Sequence, residues 1–548
     1  MSAAVKHLLS AVSVIVIIAL IPIAVVTAGK AYRDKERSSS EVRIGISLAP
    51  VTMDPHHAPD IGSAEYLNLC HGCLYSMYDG NKVEPELAEG YDLSEDGCTY
   101  TFHLRDNIYY HDGTPITAYD FVYSWQRLAD PETRSMAVYN LTECMSLKNA
   151  EEVIRGELPP ELLGVSAPDR RTFVVELNQP CPYMLSLVSS SVLCPVNEEF
   201  VKRMGDKYCT SPETMLFSGP YVLDRYIPLD PQMHFTRNPN YLFADSISTS
   251  GITFRQISNP QQAMMCYQAG DFDIVQASGE TVDLVAGNKD LHTVGSGNAL
   301  FFLFNSQRPS GVNNKNIRAA LCHSVDREQI TKYVLKHGYY PLYSIVPPNF
   351  AAEPDGSDFA AGAKERYEGI CGYDPEKARE YWEAGLAEEG ITELTLTLVT
   401  TKAEAMEPIK DSMEKTLPGL TVEVRQNTVQ QVSQTVASGD FDIIQSGWIA
   451  DYPDPKSMIE CLTPDTVING GSWSNEEYTY IAHNNCLETD PAKRSEMLHK
   501  AEDILMEDRG IIPYCYNGIN WLVSDRIDGV MFNYRGCMPI CIHARKEG

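Results

Sequence analysis

The chain has 548 residues, a formal net charge of −30, 43% hydrophobic and 22% charged residues. That length exceeds one ordinary domain, and the composition is that of a folded body rather than a disordered one. The acid excess, with no stripe of Lys and Arg, excludes a phosphate-tracking surface and with it a nucleic-acid partner; acidity this evenly spread serves solubility first.

In chain order, Lys6 and His7 precede an uncharged run from Leu8 to Gly29. Its length matches the ~30 Å of a hydrocarbon core. Val26-Thr27-Ala28 supplies the small residues of a cleavage site after Ala28. Residues 1–33 are therefore expected to be a signal peptide or a membrane anchor, with a polar tether at 34–41. No Cys follows the apolar run, so a lipid anchor is not expected. The folded body opens with an alternating strand, Val42 to Ile46, before the break at Asp54-Pro55.

His56, His57 and Asp60 form the only local metal-like group. Adjacent histidines on an extended segment point to opposite faces, so they are read as loop residues rather than ligands. Fifteen cysteines are scattered along the chain, and an exported protein can pair some of them. Cys70-His71-Gly72-Cys73 has no second C-x-x-C to complete a zinc site, and reads as a helix carrying two buried thiols.

Thr99 to Leu104 and Thr172 to Leu177 alternate as half-buried strands. Between them Thr117 caps a helix bearing Phe121, Val122 and Trp125, which Asp130-Pro131 closes. Ala269-Gly270-Asp271-Phe272-Asp273-Ile274 is echoed by Ser438-Gly439-Asp440-Phe441-Asp442-Ile443. The echo suggests two lobes of similar build, each with a helix–Gly–strand corner. Asp374-Pro375 opens a helix that ends at Gly390, and Asp490-Pro491 opens another that runs to about Arg509. Between these, Leu394–Val399, Glu404–Leu417, Leu420–Val424, Val429–Ser438 and Phe441–Trp448 read strand–helix–strand–helix–strand, which implies parallel strands with right-handed crossovers. Ile511 to Tyr516 is a further strand.

No G-x-S-x-G, H-E-x-x-H or G-x-x-x-x-G-K-[ST] motif is present, which argues against an enzyme. The most informative stretch is Gln445 to Pro455, where a buried strand ends in Gly447-Trp448-Ile449 and leaves Asp451 at its tip. Strand tips at the carboxyl edge of a parallel sheet are where α/β proteins bind ligands. An Asp there can hold a ligand ammonium group through a charge-assisted bond, with Trp448 as a flat wall. The alternative is an Asp that only caps the following turn.

The segments Leu104-Arg105-Asp106-Asn107 and His111-Asp112-Gly113-Thr114-Pro115-Ile116-Thr117-Ala118-Tyr119-Asp120-Phe121 resemble the signature of the oligopeptide- and dipeptide-binding proteins of ABC importers, the family 5 solute-binding proteins. Met53-Asp54-Pro55, Ser218-Gly219-Pro220-Tyr221, Asn238-Pro239-Asn240-Tyr241, Ile317-Arg318-Ala319-Ala320-Leu321 and Ala450-Asp451-Tyr452-Pro453-Asp454-Pro455 extend the likeness to the C-terminus.

The resemblance implies an α/β, two-lobed periplasmic-binding-protein-like fold of type II, cluster C, with an extra domain inserted in the first lobe. The implied bounds are 42–71, 195–299 and 517–548 for lobe 1, 72–194 for the insert and 300–516 for lobe 2. It also implies a monomer without cofactor that captures short peptides and docks on a membrane permease and its ATPases. Asp451 would bind the peptide amino group, Gly447 to Ile449 would pair with the peptide backbone, and Ile61 would approach from the other lobe, with Tyr514 and Tyr516 lining the pocket. Gln445 stands where some relatives carry a basic residue for the ligand carboxylate. A nickel-chelate, haem or oligosaccharide binder of the same fold, a peptide-sensing receptor and an anchored hydrolase are the competing readings.

Overall fold

The computed structural model describes residues 40–546 apart from 48, 59–60, 80, 227–230, 337 and 534–537. The expected signal or anchor at 1–33 and all but the last two residues of the tether lie outside the described residues. Among the described residues, no helix is long and apolar enough to cross a membrane.

One mixed sheet organises the molecule. Its strands are β1 (Val42–Ile46), β2 (Tyr221–Arg225), β3 (Gln232–Arg237), β4 (Gly251–Gln256), β5 (Ile274–Ala277), β6 (Leu291–Phe304), β7 (Tyr339–Pro341), β8 (Leu394–Thr400), β9 (Leu420–Gln426), β10 (Ile443–Ile449) and β11 (Ile511–Val523). Their spatial order is β9-β8-β10-β6-β11-β5-β1-β4-β3-β2, with β7 added to β11. β8 runs parallel to β9 and β10, and β1 parallel to β4 and β5. The order therefore mirrors itself about the antiparallel pair β6–β11, with β10 matching β5, β8 matching β1 and β9 matching β4.

The 269–274 and 438–443 echo falls at equivalent corners of this arrangement. Helix α3 (Pro260–Gln268) and helix α6 (Val429–Ser438) each end at a glycine in the left-handed region, Gly270 at φ 74° and Gly439 at φ 67°. Each chain then turns through Asp-Phe-Asp into β5 or β10, with Phe272 and Phe441 buried.

Helix α1 is Ile61–Cys70 and α2 is Ala118–Ala129; the latter is closed by a capping box between Thr117 and Asp120. The Cys70–Cys73 expectation needs correction: Cys70 is the last helical residue and Cys73 lies beyond the helix, though both thiols are buried. Past the helix end, the Cys70 carbonyl accepts the Ser218 and Gly219 amides at 3.1 and 2.9 Å, and the Gly72 amide donates to the Ser218 hydroxyl at 3.0 Å. The fourteen described cysteines form no disulfide. The strand from Thr172 ends at Glu176 and sits in a separate four-stranded sheet with Ala88–Leu93, Thr99–Leu104 and Val165–Ser166.

In the second lobe, α4 (Pro375–Glu389) is capped by Asp374 and stopped by Gly390 in the left-handed region; α5 is Ala403–Thr416. The expected Phe441–Trp448 strand begins at Ile443, since Asp442 still belongs to the corner. Helix α7 (Pro455–Ile459) is a single short turn, and α8 (Pro491–Glu507) stops two residues early because Arg509 takes a positive φ of 52°.

The largest departure is in β11. It was expected to end at Tyr516 and instead runs to Val523. β6 and β11 are long because they serve both lobes: Leu291–Gly295 pairs with Gly518–Leu522, and Ala299–Leu303 pairs with Ile511–Tyr516. The lobe bounds drawn from the resemblance at 299/300 and 516/517 therefore cut through continuous strands. The ladder breaks between the two paired blocks, where Ser296 and Asn298 side chains bond Asn517 instead. Separate large apolar cores lie to either side of this crossing, and another fills the insert.

Candidate functional site

The site is built at the end of β10. Only Ile443 and Ile444 pair with β8, whereas the whole strand pairs with β6. From Gln445 to Ile449 the other edge of β10 has no strand beside it among the described residues, so a row of backbone N–H and C=O groups is open to an incoming chain. Gly447 is required by packing on the opposite side: a Cβ there would stand 2.6 Å from Leu300 and 2.9 Å from the Ala299 carbonyl.

Beyond the strand, the chain is pinned into a rigid peg. The Ala450 amide donates to Gly297 (2.8 Å), and the Asp451 amide donates to the Ser457 hydroxyl (3.0 Å). The Trp448 indole donates to the Ser457 carbonyl at 2.8 Å, which braces the ring against α7. Asp454, not Asp451, caps α7, and Arg494 grips Asp454 through two bonds of 2.7 and 2.8 Å. Tyr452 is buried and stacks on Tyr183 of the insert at 4.1 Å. With Asp454 filling the cap, the Asp451 carboxylate is left half-buried at the cleft, where the Tyr139 hydroxyl donates to its Oδ1 at 3.4 Å. A cavity of about 150 Å³ lies beside it, lined by Ile449, Ala450 and Asp451 from one side and Met136, Tyr139 and Ser190 from the other.

Of the expected site residues, Gly447, Trp448, Ile449 and Asp451 are thus brought together, with Ile449 46% exposed at the cleft. Gln445 donates to the Tyr514 hydroxyl (2.7 Å) and accepts from Thr400. Tyr514 is buried against Phe302 and offers a ligand no surface in this structure. Tyr516 is half-buried and stacks on Tyr340 at 5.4 Å. Ile61 is the first residue of α1. Tyr139 and Ser457 were missed; Tyr139 sits on an irregular turn of the insert, with no motif to mark it.

His56 and His57 belong to a different structure. Arg127 grips Asp54 through bonds of 2.7 and 2.9 Å, His57 Nδ1 bonds the same carboxylate at 2.9 Å, and His56 sits between Arg127 and Ser124. Burial alone would raise Asp54, but hydrogen bonds from His57 and Arg127 overcome it and hold the acid well below the usual range. Burial, then the Arg127 charge, depresses His56 to about 3, so its imidazole is neutral and accepts from Arg127. This network ties α2 of the insert to the segment after β1. Asp60 lies outside the described residues, and no group of three or more metal-ligating side chains occurs among the described ones.

A mixed sheet whose two central strands cross between lobes, with a cleft at a strand tip, defines a solute-binding protein. The chain matches the model of bacterial extracellular solute-binding proteins, family 5 Middle, over residues 82–470, and it belongs to that family. It is 31% identical over 474 residues to the dipeptide-binding protein of Lactococcus lactis subsp. cremoris (82% of this chain, 84% of the relative). Among solved structures it resembles Listeria monocytogenes OppA bound to peptide (28% identity, 93% and 99% coverage, TM-score 0.70). It also resembles the unliganded open form of the murein tripeptide binding protein MppA (25% identity, 93% and 97% coverage, TM-score 0.78).

Proposed function

We propose that this chain is the extracytoplasmic substrate-binding component of an ABC-type peptide importer, and not an enzyme. A short peptide lies in the interlobe cleft as an added strand on the free edge of β10, and its α-ammonium group pairs with Asp451. The observation that carries this reading is the open backbone edge at Gln445–Ile449 running directly into a half-buried carboxylate. Main-chain pairing fixes the ligand's backbone while leaving its side chains in cavities, which suits a binder of many sequences. The L. lactis relative is a dipeptide-binding protein and the L. monocytogenes structure holds a peptide, which supports the same ligand class. The chain works as a monomer, held at the membrane or exported by residues 1–33, and hands its ligand to a permease driven by separate ATPases.

Calorimetric titration of the soluble body tests this. Free-amine tripeptides are expected to bind, and both N-acetylation and Asp451→Ala are expected to weaken binding by at least ~2 kcal/mol, the loss of a desolvated charge pair. Binding that ignores acetylation, or no peptide binding at all, overturns the reading and directs the search to nickel chelates, haem and oligosaccharides.

A further inference from the structure

The cavity beside Asp451 does not end there. Asn140 and Ser190 also line a small neighbouring cavity that again includes Asp451. Ser186 carries that space into a third cavity of about 280 Å³, walled by Asn349, Asp358 and Pro453. Ala352 joins the third to a fourth of about 340 Å³, at the contact between the insert and the second lobe. Shared lining residues thus set four cavities side by side, the first of them at the proposed ammonium site.

The charges along these cavities are one-sided. Among the described residues, Asp451 is the only charged one lining the first two cavities and Asp358 the only one lining the third. Among the described residues, the fourth has Glu353, Asp454, Glu488 and a single cation, Arg494, already held bidentately by Asp454. Glu353 is engaged by His499 at 2.6 Å and by Ser495. Asp358 differs from these. Its Oδ1 accepts the Asn349 and Ala360 amides at 2.9 and 3.4 Å, and no Lys, Arg or His forms an ion pair with it among the described residues. Those two amides fix the carboxylate at the cavity wall. Burial, with the nearby Glu353 charge, pushes this acid above its ordinary value, so a cation brought to it would relieve an uncompensated charge.

We infer that Asp358 selects peptides carrying Lys or Arg at the second or third residue, so that the ligand class of this cleft is cationic peptides. The inference rests on the peptide reading above. An extended ligand that starts at Asp451 and follows β10 advances ~3.3–3.6 Å per residue, which places its second and third residues beside Trp448 and Gly447, the level of the sheet at which Ala299 pairs with both Trp448 and Tyr516; the Asp358 charge acts on Tyr516 there. Gln445 fits the same picture: bonded to Tyr514 and Thr400, it supplies no positive charge for a ligand carboxylate.

The test is calorimetric titration of free-amine tetrapeptides with alanine at the other positions and Lys, Met or Glu at position two, and separately at position three. At one of the two positions, Lys is expected to bind at least tenfold tighter than Glu, with Met between. That ratio is expected to fall to threefold or less in Asp358→Asn, which keeps an oxygen for the Asn349 amide, and to shrink as salt is raised from 20 to 500 mM. Equal binding of Lys and Glu peptides at both positions overturns the inference and leaves the peptide reading standing. So does a preference that survives Asp358→Asn with the variant's melting curve unchanged. If the Met peptides also fail to bind, the peptide reading itself has failed, and this inference falls with it.

Discussion

Asp273 and Asp442 show how one residue type does the same work twice. The Asp273 amide donates to the Arg43 carbonyl and its Oδ2 accepts the Arg43 amide, both at 2.9 Å. Asp442 does this with Thr397 at 3.1 and 2.7 Å. Each aspartate carbonyl then accepts from the residue after a crossover strand, Ser524 or Asn305, at 2.9 Å. Both therefore splice a parallel neighbour to β6 or β11. Their electrostatic surroundings differ. Asp273 is fully buried with Arg43, Arg526 and the buried Lys546, whereas among the described residues Asp442 meets only the partly exposed Arg308 at 3.4 Å. Asp273→Ala strands buried cations and is expected to cost about 3–5 kcal/mol, while Asp442→Ala mainly unpairs one amide and is expected to cost about 1–3 kcal/mol. Urea unfolding of the two variants checks the order; equal losses would mean that the backbone splice, not the ion cluster, dominates at Asp273. The six-residue echo was legible in the sequence because Gly and Asp are demanded by local geometry. The ion cluster was not, because its members are separated by 230 and 273 positions in the chain.

At the scale of elements, those with punctuation inside their own segment were readable. Asp374-Pro375…Gly390 and the β8-to-β10 run carry caps, stops and periodicity, and the structure follows them within a residue or two. The length of β11 was hidden, because Asn517-Gly518 looks like a turn signal. That segment stays extended because Gly518 faces Gly295 across the ladder, and the Gly518 amide donates to Gly338 at 2.7 Å. The two facing glycines are not equivalent. A Cβ on Gly518 would meet the Thr293 methyl at 2.7 Å and the Val294 carbonyl at 3.1 Å, whereas one on Gly295 meets only the Pro348 carbonyl at 3.6 Å. Gly518→Ala is therefore expected to destabilise by about 1–3 kcal/mol through overpacking, with Gly295→Ala within about 0.5 kcal/mol of the parent. Thermal melts of both decide it, and a neutral Gly518→Ala would show that the crossing yields freely at this point. For the site, the strand-tip carboxylate was legible from Trp448-Ile449-Ala450-Asp451. Tyr139 was not, since only the docking of the insert on the second lobe brings it near.

Across the whole molecule, buried titratable groups pull stability in opposite directions with pH. His56 and His71, depressed by burial to about 3 and about 4, favour folding fully above the ordinary histidine value of 6.5, and that contribution is lost as pH falls through their folded values. Glu86 and Glu502, raised by burial to about 7, favour folding fully below 4.5, and theirs is lost as pH rises through 7. The opposed slopes offset one another between 4.5 and 6.5. Glu502 isolates one side of this balance. It accepts from the Ser344 hydroxyl and from the Val346 amide at 3.3 Å, and lies 3.9 Å from His499. Glu502→Gln keeps an acceptor for both donors and removes the ionisation. The variant is expected to gain on the parent as pH rises from 4.5 to 8, by on the order of 3 kcal/mol in all. Urea unfolding at a series of pH values measures that difference directly. A difference that stays flat from pH 4.5 to 8 would mean that Glu502 ionises in the folded protein as readily as in the unfolded chain, through hydration or a cation that the second lobe admits on opening.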